Sequence, residues 1–328
     1  MVTYDQVVEL VPLDAAHDDA AARLVARAVR RARRAEPLIP AAWEAAQAYR
    51  AGLASIREHG SGVALVDDGR LVGFLAGFEV ERESGRRWIY TPEWGWGATA
   101  SRRGGRDRTS VIQDLYAAAA SAWVRAGFRA HYASVLSHDR GGLRAWAWLG
   151  FGHQVMDGIR ALTPVPARGR SPVRVRRAAP ADGRAEARRL ADLEDGLRAH
   201  LAASPVFFEL GPARSLADHR RRIVDPDGAV LFADMAGRAV GYLVVGPASD
   251  DAATIIRDER TASISGAFVV PEHRRAGIAD ALLDAALSGA RAGAYERVAV
   301  DFESANLLAT RFWTRHFRAV THSLVRRL

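Results

Sequence analysis

The sequence predicts an α/β protein built as two tandem copies of one unit. Three observations carry that expectation. At 328 residues the chain exceeds one domain of ordinary size. The stretch "GVALVDDGRLVGFLAG" (62–77) reads like "AVLFADMAGRAVGYLVVG" (229–246), residue type by residue type. Between Thr163 and Gly183, "TPVPARGRSPVRVRRAAPADG" carries the prolines, glycines and arginines of a linker and then restarts a strand and a helix. The boundary therefore falls near residue 170, giving domains 1–165 and 171–328.

The elements follow in order. Each matched stretch is a β-hairpin: alternating apolar residues flank a short turn at Gly69 or Gly237, and a second strand carries Gly73 or Gly241 at one shared offset. Next, "YAAAASAWVRAGFRAHYASVL" parallels "LLDAALSGARAGAYERVAVDF", a helix that stops near glycine and leads into a strand. Then "DRGGLRAWAWLGF" parallels "NLLATRFWTRHF", setting Asp139 against Asn306 and Trp146 against Trp313. Each half reads β-α-α-β-β-β-α-β-α-β.

Composition narrows the function. About half the residues are hydrophobic, enough for two cores, and the chain has no cysteine, which removes disulfides, thiolate metal sites and a cysteine nucleophile. No metal site is expected. The net charge of +8 comes from arginines mixed with acidic residues on helix patterns, as on solvated faces. No zinc-finger spacing, aromatic RNA-binding motif or lysine-rich tail accompanies it, so nucleic acid is not the expected partner. A small anionic ligand would use the same surplus. No run approaches the ~20 apolar residues of a membrane span and the first residues lack signal-peptide order, so a cytoplasmic location is expected.

The most informative stretch is "ISGAFVVPEHRRAGIADALLDAAL" (264–287). "SISGAFVV" is apolar and β-branched, and Pro271 ends its ladder. From Gly277 onward, Ile278, Leu282, Leu283, Ala286 and Leu287 recur at helical spacing. "EHRRAG" is thus a strand-to-helix turn, where free backbone N–H groups at the positive end of a helix dipole bind phosphate oxygens. Gly277 permits close backbone approach, Ala279 keeps the next turn small, and Arg274 and Arg275 reinforce an anion site. Neither a Gly-x-x-x-x-Gly-Lys-Ser/Thr loop nor a Gly-x-Gly-x-x-Gly fingerprint is present.

These residues resemble the acyl-CoA loop of the GNAT acetyltransferase superfamily, Arg/Gln-x-x-Gly-x-Gly/Ala after a strand, with Arg274, Gly277 and Ala279 at its three positions. "DFESANLLATRFW" resembles the following strand and helix, with Asn306 and Ala309 in the Asn-x-x-Ala step. The resemblance covers nearly all of 171–328; residues 1–165 match through the hairpin and "WLGF" but not the loop. It implies two tandem GNAT folds, an arrangement also seen in mycothiol synthase. Each would be a mixed, mostly antiparallel sheet flanked by helices and splayed at the acyl-CoA site. It further implies that backbone near Phe268, Val269 and Val270 pairs with pantetheine. The N–H groups of Arg275, Ala276, Gly277, Ile278, Ala279 and Asp280 would hold the pyrophosphate, while Asn306 orients the arm beside Trp313. The implied activity is direct acetyl transfer from acetyl-CoA to a primary amine of a small molecule or peptide. The alternatives are a mycothiol-synthase-like acetyltransferase and a non-catalytic CoA-binding or sensing module. A duplicated chain also permits a monomeric pseudo-dimer.

An amine nucleophile needs a base. In "VAVDFES", Ala299, Asp301 and Glu303 share one strand face, and carboxylates ending an apolar strand are expensive unless paired or used. Glu303 is the first candidate for base or amine anchor and Asp301 the second; the competing reading is a salt bridge to Arg311. Glu272 reads as solvent-facing. Many relatives carry a proton-donating tyrosine where this chain has Trp313, which has no usable acidic proton. His316, one turn on, is either a substitute or a packed or capping histidine. In the first half, "RRGGRDR" has no such loop around it, so a degenerate domain is expected, with Trp88, Tyr90, Trp94 and Trp96 lining a cleft or packing on a helix.

Overall fold

The structure is a computed structural model that describes residues 8–81, 85–101, 105–166, 173–208, 210–248 and 252–328. The expected boundary near residue 170, and Arg102, Arg103 and Gly104 of "RRGGRDR", lie outside the described residues.

The first half runs β1 (Val8–Pro12), α1 (Asp18–Ala35), α2 (Gln47–His59), β2 (Gly60–Asp67), β3 (Arg70–Glu81), β4 (Arg87–Thr91), β5 (Trp96–Ala98), α3 (Arg108–Arg125), β6 (Ala130–Leu136), α4 (Arg140–Trp148) and β7 (Gly152–Ala161). The second runs β8 (Arg174–Arg177), α5 (Gly183–Ala202), α6 (Leu216–Val224), β9 (Ala229–Met235), β10 (Arg238–Pro247), β11 (Thr261–Val269), α7 (Ile278–Ala292), β12 (Arg297–Glu303), α8 (Leu307–His316) and β13 (Arg318–Arg327). The repeated order read from the sequence is present in both halves, with the short strand β5 added in the first. Both hairpins turn through two consecutive residues with positive φ, Asp68 and Gly69 in one and Ala236 and Gly237 in the other. That backbone matches the twist of the paired strands.

The chain packs as two compact units. One comprises Met1–Met156, Ala253–Ile255 and Ala319–Leu328; the other comprises Asp157–Ala252 and Ile256–Arg318. In the first unit the strands lie in the order β1-β2-β3-β4-β6-β13, with β5 paired to β3. Among the described residues of this unit, only β4 and β6 pair in parallel. Strand β13 runs antiparallel to β6 from Thr321 opposite Leu136 to Arg327 opposite Ala130. Its Leu324 is buried among Tyr116, Trp123, Trp146 and Phe151, so β13 belongs to this core.

In the second unit the order is β7-β12-β11-β10-β9-β8, with β7 represented by its residues from Asp157 onward. Helices α5 and α6 cover one face, where Leu190, Leu193, Ile223, Phe232, Tyr242 and Phe268 form the core. Helix α7 buries Ile278, Leu282, Leu283, Ala286, Leu287 and Ala290, the stripe its periodicity predicts.

Candidate active site

The site begins where two strands part. Strand β11 is parallel to β12 only from Thr261–Arg297 to Ile264–Val300. Against β10, Val244 faces Gly266 and Val245 faces Ile264, so Ser265 is an extra residue, a β-bulge that bends the strand. Beyond it β11 continues to Val269 and β12 to Glu303 without pairing to each other. A cavity of about 410 Å³ opens there, lined among others by Glu194, Gly266, Asp301, Glu303, Asn306 and Trp313.

At the far end of β11 the chain enters α7. Pro271–His273 form one 3-10 turn, and Arg275 (φ 67°) and Gly277 (φ 74°) adopt the left-handed region. Among the described residues no side chain caps α7, and its first intrahelical bond runs from the Ala281 N–H to the Gly277 carbonyl. The N–H groups from Arg275 through Asp280 are therefore unused by the described residues. Arg274 folds back: its Nε donates to the Val269 carbonyl at 2.9 Å and its guanidinium lies 5.4 Å from the Phe268 ring centre. Arg275 and Glu272 are exposed.

Glu303 ends β12 half-buried on the cavity wall, and burial pushes its carboxyl above the usual carboxylate range, against a smaller opposing pull from His200. Asp301 also lines the cavity but is exposed. Asn306 is buried and N-caps α8; its Oδ1 accepts the Ala309 N–H at 3.2 Å and lies 3.2 Å from His200 Nε2. Trp313 is buried beside it, edge-on to Phe312 and Phe317. His316 Nε2 lies 2.9 Å from Asp280 Oδ1, so this histidine is engaged with the first turn of α7. Burial depresses its pKa, against the opposing pull of Asp280.

Residues 197–317 match the model of the Acetyltransferase (GNAT) family. The matched segment holds the parting of β11 and β12 and the start of α7. The chain is similar in structure to a GCN5-related N-acetyltransferase from Sphaerobacter thermophilus, at 14% identity and TM-score 0.59, covering 98% of this chain and 95% of that one. It is also similar to the GCN5-related glucosamine N-acetyltransferase region of a fungal multi-domain β-N-acetylglucosaminidase, at 15% identity and TM-score 0.56, covering 98% of this chain and 38% of that one. A tandem GNAT protein from the clavulanic acid biosynthesis pathway aligns at 17% identity and TM-score 0.48 over 97% of both chains. No curated protein matches the chain in sequence. The first two likenesses extend the GNAT fold to nearly the whole chain, beyond the matched domain.

The cavity wall also includes residues that no sequence motif singles out. Glu194 of α5, 6% exposed, accepts from Arg222 Nη1 and from Arg214 Nη1 (3.3 Å), with His219 Nε2 at 3.9 Å. Arg222 also donates to Ser265 Oγ at the bulge, at 3.1 Å. Glu194, Arg214 and Ser265 of this cluster, with Tyr242 of β10, line the same cavity as Asn306 and Trp313. Contributions from α5, α6, β10 and β11 converge only in space, and no sequence spacing announces them.

The other unit treats the corresponding place differently. A cavity of about 470 Å³ is lined by Arg27, Arg31, Glu93, Trp96, Arg108 and Asp139, among others. Asp139 N-caps α4, as Asn306 caps α8, but also forms a two-pronged ion pair with Arg108, the first residue of α3. Arg108 Nε donates to the Ala98 carbonyl of β5 at 2.8 Å. Arg106 pairs with Asp114, so both described arginines of "RRGGRDR" have carboxylate partners. Trp96 packs edge-on to Trp146 and donates to the Ser134 carbonyl; Trp94 donates to Thr254, and Trp88 packs edge-on to Tyr132.

Proposed function

We propose that the chain is an acetyl-CoA-dependent N-acetyltransferase that moves an acetyl group to a primary amine of a small molecule or peptide, with chemistry in the second unit. One observation carries the reading. The parting of β11 and β12 leads directly to six unused N–H groups at the start of α7. A polyanion such as the CoA pyrophosphate gains those donors and the helix dipole together. The unpaired edge of β11 around Phe268, Val269 and Val270 would receive the pantetheine amides, with Asn306 and Trp313 along the arm. Glu303, whose carboxyl burial raises above the usual carboxylate range, is the first candidate base, because a raised pKa favours taking up the amine proton. Asp301 is the secondary candidate.

In the first unit Leu136 stands three residues before Asp139, as Glu303 stands three before Asn306. With no carboxylate there, and with Arg108 joining β5 to α4, we assign that unit a structural role rather than acyl-CoA binding. Isothermal titration with acetyl-CoA tests the reading. Wild type is expected to bind one equivalent, and Gly277→Glu to abolish binding by setting a strained, anionic side chain among the N–H donors. Absence of wild-type binding, or undiminished binding by the variant, removes the proposal.

A further inference from the structure

Trp313 has no acidic proton and His316 is engaged by Asp280, so the charge that develops during acyl transfer lacks an obvious side-chain donor. The cavity contains one. Tyr242 is 0% exposed, yet its hydroxyl finds no hydrogen-bond partner among the described protein groups. Leaving a buried hydroxyl unsatisfied is costly, so native structures rarely keep one without a use. The hydroxyl lies beneath β11 at Gly266, the residue after the bulge: a Cβ added to Gly266 would lie 3.4 Å from it. Gly266 carries no such group, so bare backbone covers the phenol on the stretch of β11 that has left β12.

The internal repeat supplies an independent argument. In the first unit the matching position, after Gly73, is Phe74, also 0% exposed. The fold therefore packs this place with a plain phenyl ring. The added hydroxyl appears only in the unit with the free helix start and Glu303. Packing does not require it.

On the transferase reading above, we infer that the Tyr242 hydroxyl donates a hydrogen bond to the thioester carbonyl oxygen and holds the negative charge that gathers there. The amine nitrogen attacks the carbonyl carbon, the C=O π pair moves onto oxygen, and Glu303 takes the ammonium proton. The pair returns as the C–S bond breaks, and the departing sulfur receives that proton through solvent. Tyr242 keeps its own proton throughout. Burial and the nearby Glu194 hold its pKa above the ordinary phenol value, while Arg222 and Arg214 pull the other way, so it is a neutral donor across the working range.

The test is Tyr242→Phe, in the full chain. The expected result is a kcat about 10²-fold lower, the loss typical of one oxyanion donor. KM for acetyl-CoA should be unchanged, and Tm equal or higher because the unsatisfied group is gone. Infrared spectra of bound acetyl-CoA labelled with ¹³C at the carbonyl need no acceptor, and should show the carbonyl band at higher frequency in the variant. A kcat within about threefold of wild type, an unshifted band, or a lower Tm, which would give the hydroxyl a structural task, each overturns the inference. If wild type itself binds no acetyl-CoA, the transferase reading falls, and this inference with it.

Discussion

Glu303 shows how one carboxylate is set against its surroundings. Its folded pKa is raised by burial, so the folded state holds a proton more tightly than the unfolded state and stability falls as pH rises through that raised value. Glu303→Gln should therefore raise Tm at neutral pH. As base, Glu303 must be ionised, so kcat should fall as pH drops through the same raised value. The glutamine variant should lose that acidic limb and about 10²–10⁴-fold in kcat. A pH–rate profile beside thermal melts checks both signs; a destabilised variant, or an intact acidic limb, contradicts the assignment. Glu303 was legible in "VAVDFES" because two carboxylates end an apolar strand. Glu194 and Tyr242 were not, since each is an ordinary residue of its own element until the fold brings both to the same cavity.

At the scale of elements, the repeat made the two hairpins, the helix stops and the pairing of Asp139 with Asn306 readable before any coordinates. Both residues do cap their helices. What the pattern concealed is the second task of Asp139, because its partner Arg108 lies 31 residues earlier. Asn306→Ala should lose about 1 kcal/mol, as for an ordinary N-cap. Asp139→Ala should lose more, roughly 2–4 kcal/mol, because the cap and two charge-assisted bonds to Arg108 go together. Urea denaturation of both variants measures the difference, and equal losses would mean that the ion pair contributes nothing. Arg274 marks another limit of local reading. Its place in the loop motif suggests an anion contact, whereas its Nε is committed to the strand it follows.

Over the whole molecule, the sequence supports a tandem reading, but the packing unit is not a continuous stretch. The last strand sits against β6, with Val320 and Thr321 fully buried and Leu324 in the core of the first unit. No local signal distinguishes one apolar partner for β13 from another, since an alternating strand fits any sheet edge of the right register. Deleting 319–328 should leave β6 with an open edge and lower the Tm of the first unit. Loss of near-ultraviolet circular dichroism from its tryptophans would report the damage; an unchanged melt would contradict the pairing. There is also a consequence for synthesis on the ribosome. Leu136 emerges long before Thr321, its partner in the ladder, and at typical elongation rates the interval is roughly 10–40 s. Through that time the older half of the newborn chain carries an unfinished sheet, a natural address for a chaperone.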